Sequence, residues 1–132
     1  MDPLIDVLVG EVRELIEQSR QQVAVTVNAT MTLLYWQVGK RINDEVLKEK
    51  RAEYGKQIVA TLARQLTAEY GSGWSSRHLH HCLRFAETFP DIQIVNALRT
   101  QLSWTHIRTV IAIEDDLKRK FYTEMCRLER CV

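Results

Sequence analysis

The sequence predicts an all-α protein, and three observations carry that expectation. Its two prolines, Pro3 and Pro90, leave the long interval between them free of helix breakers. Apolar residues recur in steps of three and four through nearly every segment, the spacing of one face of a helix. The single alternating run, Val23, Val25 and Val27, has no partner strand elsewhere in the 132 residues.

The first segment runs from Pro3 to about Lys50. Ile5, Leu8, Val12, Leu15, Ile16, Val23, Val27, Met31, Leu34, Val38 and Ile42 form its ladder, with Asp2 as N-cap and Pro3 in the first helical position. Thr26, Asn28, Thr30 and Thr32 are weak helix formers, so one very long helix or two consecutive helices are both open here, with a kink or a helix break expected between Gln21 and Thr30. Gly39, which costs about 1 kcal/mol against alanine in a helix, predicts that another element approaches closely at that point.

A compact domain follows, over residues 54–130, and the whole chain reads as one domain of residues 1–132. Tyr54, Ile58, Leu62, Leu66 and Tyr70, widened by Val59 and Ala63, make an amphipathic helix that stops at Gly71. Ser75 or Ser76 caps the next, which turns Leu79, Cys82, Leu83 and Ala86 inward and ends at Pro90. Asp91 caps a short helix using Ile92, Val95 and Leu98. Ser103 precedes another, buried through Ile107, Val110 and Ile111. In the last helix Glu114, Asp115 and Asp116 stand at the positive end, Arg127 and Arg130 suit the negative end, and Leu117, Phe121, Met125 and Leu128 are expected inward.

Composition narrows the function classes. A formal net charge of +1 gives no bulk support for nucleic-acid binding, so such a reading has to rest on local charge. The three cysteines, Cys82, Cys126 and Cys131, are odd in number and lack CxxC spacing, which favours a reducing compartment over a disulfide framework. No signal peptide or membrane-length apolar run is visible, so a cytoplasmic protein without a membrane partner is expected.

Local charge does concentrate in one place. Between Trp74 and Arg84 lie two arginines and three histidines, with no acid until Glu87. A helix ending at Gly71, a short turn and a new helix opening on serines is the pattern of a helix-turn-helix, whose second helix offers its N-terminal residues to the major groove. Ser75 and Ser76, at that helix N-terminus, are candidates to hold a phosphate, and Arg77, His78, His81 and Arg84 are candidates to reach DNA. The bland reading is a solvated polar face. His78, His81 and Cys82 share a face as zinc ligands do, but no second ligand pair has motif spacing, so neither metal nor cofactor is expected. Pro90-Asp91 with Asp116-Leu117-Lys118 mimics a nuclease motif, yet both carboxylates fall at helix starts, where the helix dipole accounts for them. Trp36, Trp104 and Tyr35 read as core aromatics, and His106 as structural.

Trp36-Gln37-Val38-Gly39, Tyr54-Gly55, the turn from Gly71 to Ser75, Arg84-Phe85, Phe89-Pro90, Leu102-Ser103-Trp104 with His106, and Phe121-Tyr122 occur in an ordered combination. In this the chain resembles the amino-terminal domain of the bacterial YhcG-type proteins. The resemblance implies a helical DNA-binding domain followed by a carboxyl-terminal PD-(D/E)xK nuclease domain. Because this sequence stops at Val132, where members usually continue, no nuclease domain and no enzymatic activity are expected of it. Two functions stay open: a DNA-binding module that targets an associated nuclease, and an interaction domain that uses its long first helix to form a homo-oligomer or to dock a partner protein.

Overall fold

The computed structural model describes residues 3–49 and 52–129. The expected cap Asp2, the side chains of Tyr54 and Arg127, and the residues Arg130 and Cys131 lie outside what is described there. Six helices follow one another: α1 (Pro3–Glu49), α2 (Ala52–Tyr70), α3 (Ser76–Thr88), α4 (Ile92–Gln101), α5 (Trp104–Ile111) and α6 (Asp116–Glu129), with a single 3-10 turn at Ser72–Trp74. No strand occurs among the described residues.

α1 is one unbroken helix of 47 residues, about 70 Å long at 1.5 Å per residue. The helix does not break between Gln21 and Thr30, and two of the weak helix formers there, Thr26 and Asn28, have specific partners. Thr26 returns its hydroxyl to the Gln22 carbonyl at 3.0 Å. Asn28 donates to the Leu102 carbonyl and accepts from the Trp104 amide, both at 3.3 Å. Its side chain therefore clamps the α4–α5 corner onto α1, and that tertiary tie outweighs its poor propensity.

Two clusters make the core. One gathers Trp36, Phe85, Ala86, Val95, Leu98 and Ile107 with neighbours from α4, α5 and α6. The other joins Ile42 of α1, Val59 and Ala63 of α2, and Leu79 of α3. Between them α1 and α3 run in close contact: a Cβ on Gly39 would lie 1.9 Å from the Cys82 carbonyl oxygen. The close approach that Gly39 predicted is thus met by α3 backbone. Trp36 donates at 2.7 Å to the carbonyl of Phe89, which the helix itself leaves unpaired, and Asn43 donates at 3.1 Å to the Leu83 carbonyl in the last two turns of α3.

Helix ends follow local chemistry. Gly71 takes φ 106°, which favours glycine, and stops α2. Ser75, Asp91 and Ser103 cap α3, α4 and α5 by accepting the amides of His78, Gln93 and His106. Asp115 accepts the Lys118 amide at the start of α6, and Asp116 pairs with Arg119. Both carboxylates of the nuclease look-alike, Asp91 and Asp116, are thereby used in helix starts.

Residues expected inward lie outside on four helices. On α1 the buried residues are Ala29, Thr32, Trp36, Gly39 and Ile42, whereas Val27, Met31 and Leu34 are exposed. At about 100° per residue these sets lie on roughly opposite sides of the helix. On α2, Val59 and Ala63 are buried and Tyr70 is exposed. On α6 the ladder Leu117, Phe121, Met125 and Leu128 faces outward, at 77, 66, 39 and 74 % exposure, while Cys126 is buried. In α4, Ile92 is also outside. No described helix is long and apolar enough to cross a membrane.

Candidate nucleic-acid interface

α2, its turn and α3 do follow in helix-turn-helix order, but α3 is enclosed by α1, α2 and α5. Leu79, Cys82, Phe85 and Ala86 fill its inner face. The predicted contact residues divide accordingly. Ser75, Ser76 and Arg77 are exposed, although the Ser75 hydroxyl is engaged by the His78 amide at 3.2 Å. His81 is half-buried at the edge of the same face.

His78 and Arg84 are turned elsewhere. His78 stacks edge-on against Tyr35, 4.4 Å between ring centres, and also meets Trp74 and Trp104. Its Nε2 is 3.7 Å from the Cys82 Sγ. Burial, with the charges of His81 and Arg108 behind it, holds its pKa below 6.5, so the neutral imidazole belongs to this aromatic cluster. Arg84 is half-buried and its Nε donates to the carbonyl of Ile111, the last residue of α5. It ties α3 to α5, so this candidate DNA contact is engaged within the fold.

Two residues join the face that the sequence reading left out. His80 is exposed beside Arg77, and Arg108 projects from α5 between the buried Ile107 and Val110. Arg108, Arg77 and His80 all lie close enough to push the His81 pKa below 6.5, after the larger effect of burial. No ion pair among the described residues engages Arg77 or Arg108. The result is a pair of arginines, Arg77 of α3 and Arg108 of α5, that no ion pair among the described residues engages, with His80 and His81 beside them.

The remaining candidates have structural uses. Burial pushes the Cys82 thiol up to about 12, so it stays protonated at neutral pH. No group of three or more metal-ligating side chains is gathered among the described residues. Trp36 is buried, Tyr35 and Trp104 half-buried, and His106 accepts or donates at 2.8 Å to the Ser103 hydroxyl that caps its own helix.

Residues 11–131 match the DUF1016 N-terminal domain, and the chain belongs to that family. It is 31% identical over 90 residues to a protein of Escherichia coli (strain K12) named "Putative nuclease YhcG". That match covers 67% of this chain and 24% of the relative, so the chain spans a minor part of the relative's length. No solved structure matches it.

Proposed function

We propose that this domain binds duplex DNA through the face made by α3 and α5, with Arg77, His80, His81 and Arg108 on phosphates, and that it thereby positions an associated nuclease. The observation that carries this reading is the pair of arginines, Arg77 and Arg108, that no ion pair among the described residues engages. Like charges gathered without a carboxylate partner raise one another's electrostatic energy, and a polyanion relieves it. The exposed N-terminus of α3, with Ser76 in its first turn, adds backbone amides that favour a phosphate. A nuclease connection comes from the named relative alone.

The helix-turn-helix reading is narrowed by the same geometry. Only the first turns of α3 are free, since His78 and Arg84 serve the fold. Contact with phosphate, which is indifferent to sequence, is therefore favoured over base readout from the middle of the helix.

Fluorescence anisotropy with a labelled random-sequence duplex tests this. Wild-type chain binds at low salt, and Arg77→Ala with Arg108→Ala weakens binding at least tenfold while leaving helicity and thermal midpoint unchanged. Equal affinity of the double variant overturns the assignment.

A further inference from the structure

The first 25 described residues of α1, Pro3 to Val27, are all exposed. A helix of about 37 Å with so little tertiary cover is marginal in water. This one is further weakened by six β-branched valines: Val7, Val9, Val12, Val23, Val25 and Val27. One of its faces is nevertheless continuously apolar. Ile5, Val9, Val12, Ile16 and Val23 are each about half exposed and, with Ser19 filling the one gap, step by four and three as the core positions of a coiled coil do. Arg13, Glu17 and Arg20 lie along the edge of this stripe. With a length of about 27 Å from Ile5 to Val23 and a helix width of about 10 Å, its footprint is on the order of 300 Å², comparable to the largest apolar patch of an ordinary monomer.

We propose that this stripe is the seam of a homodimer, in which α1 packs antiparallel on α1 of a second copy around a two-fold axis near Glu14. Charge complementarity selects both the occupant and the direction. In that register Ile5 faces the other copy's Val23, Val12 faces its Ile16, and Val9 faces its Ser19. The flanking Asp6 then lies against Arg20 of the other copy at both ends, two attractive pairs that outweigh the meeting of the two Arg13 side chains beside the axis. A parallel pairing in register would set Arg13 and Arg20 against Leu8 and Leu15 and stack Ser19 on itself, leaving the charges unanswered. Geometry also leaves room for a second copy. The seam lies on the side of α1 roughly opposite Trp36 and Gly39, where the domain packs, so a second helix approaches without meeting the domain.

Sedimentation equilibrium over a concentration series at low salt tests the proposal. The wild-type chain forms a dimer, and Val12→Asp with Ile16→Asp is monomeric with the thermal midpoint of the domain retained. Asp6→Arg weakens dimerisation about tenfold by setting like charges against each other at both ends, and Asp6→Arg with Arg20→Asp restores it. A local effect on helix stability would not be rescued, since a carboxylate at position 20 would repel Glu17 of its own helix. A wild-type chain monomeric at every concentration overturns the dimer. Failure of the charge exchange to restore association overturns the antiparallel register.

Discussion

Gly39→Ala gives the sharpest test of how α1 and α3 are held together. The added methyl would lie 1.9 Å from the Cys82 carbonyl oxygen and 2.4 Å from its carbon, where contacts below 3.0 Å do not occur. Both obstacles are backbone, so no rotamer change relieves them and the helices have to part. Parting strains the Trp36 and Asn43 hydrogen bonds to the end of α3 and loosens Phe85 and Ala86 beneath Trp36. Overpacking costs about 1–3 kcal/mol, and weakening two hydrogen bonds adds roughly 1–2 kcal/mol. Against this stands the gain of about 1 kcal/mol that alanine brings to a helix interior. The net destabilisation is about 1–4 kcal/mol, whose middle value lowers the thermal midpoint of a chain of this size by roughly 10 °C. Gly10→Ala is the matched control: nothing lies within 4 Å of its added methyl, so it keeps the propensity gain and raises stability by up to about 1 kcal/mol. Urea denaturation followed by circular dichroism measures both. A Gly39→Ala protein as stable as wild type, or more so, refutes the close α1–α3 approach.

Other consequences can be checked in the same assay. Arg84→Ala removes the donor to the Ile111 carbonyl and destabilises by about 1.5–3 kcal/mol, as expected of a hydrogen bond to a charged group; a change within about 0.5 kcal/mol would return Arg84 to the surface. Asn28→Ala leaves the Leu102 carbonyl and Trp104 amide without their partner and costs about 1–3 kcal/mol, against a near-neutral effect if Asn28 only faced solvent. His78 and His81 both have folded-state pKa values below 6.5, so the unfolded chain binds more protons just below that pH, and stability falls as pH drops through 6.5. Denaturation midpoints at about pH 8 and about pH 5.5 measure this, and equal midpoints contradict it. A bound phosphate acts on His81 in the opposite sense to its cationic neighbours and favours its protonation. DNA affinity therefore rises from about pH 7.5 to about pH 6, and His81→Gln flattens the rise.

What was legible in the sequence was local. Ser75, Asp91 and Ser103 announce helix starts because a cap involves residues two or three apart, and Gly71 announces a stop for the same reason. Gly39 was legible because an unfavourable residue inside a strong helical pattern needs a tertiary cause. Inward faces were not, wherever a helix carries apolar residues on more than one side. In α1 the longer ladder from Ile5 to Leu34 conceals the shorter packing face of Ala29, Thr32, Trp36 and Gly39, whose small and polar members do not look like core. In α6 the large residues Leu117 and Phe121 outweigh Cys126 in any periodicity, yet Cys126 is the one buried.

The candidate site followed the same division. Arg77 and His81 lie where the spacing put them, whereas His78 is drawn into a ring cluster assembled from α1, α5 and the turn before α3, which no single segment reveals. Arg84 looks like a surface arginine until α5 presents a carbonyl at the end of its stem. Arg108 escaped notice because it is the only arginine in α5, and it becomes part of a cluster only when α5 packs beside α3.

The salt dependence of duplex binding tests the central claim most directly. Each phosphate neutralised contributes about −0.9 to the slope of log affinity against log salt. The account predicts a clearly negative slope for the wild-type chain, and a slope shallower by about 1.8 when Arg77 and Arg108 are both replaced by alanine. A well-folded chain that shows no duplex binding at low salt, or a slope untouched by the double substitution, contradicts it.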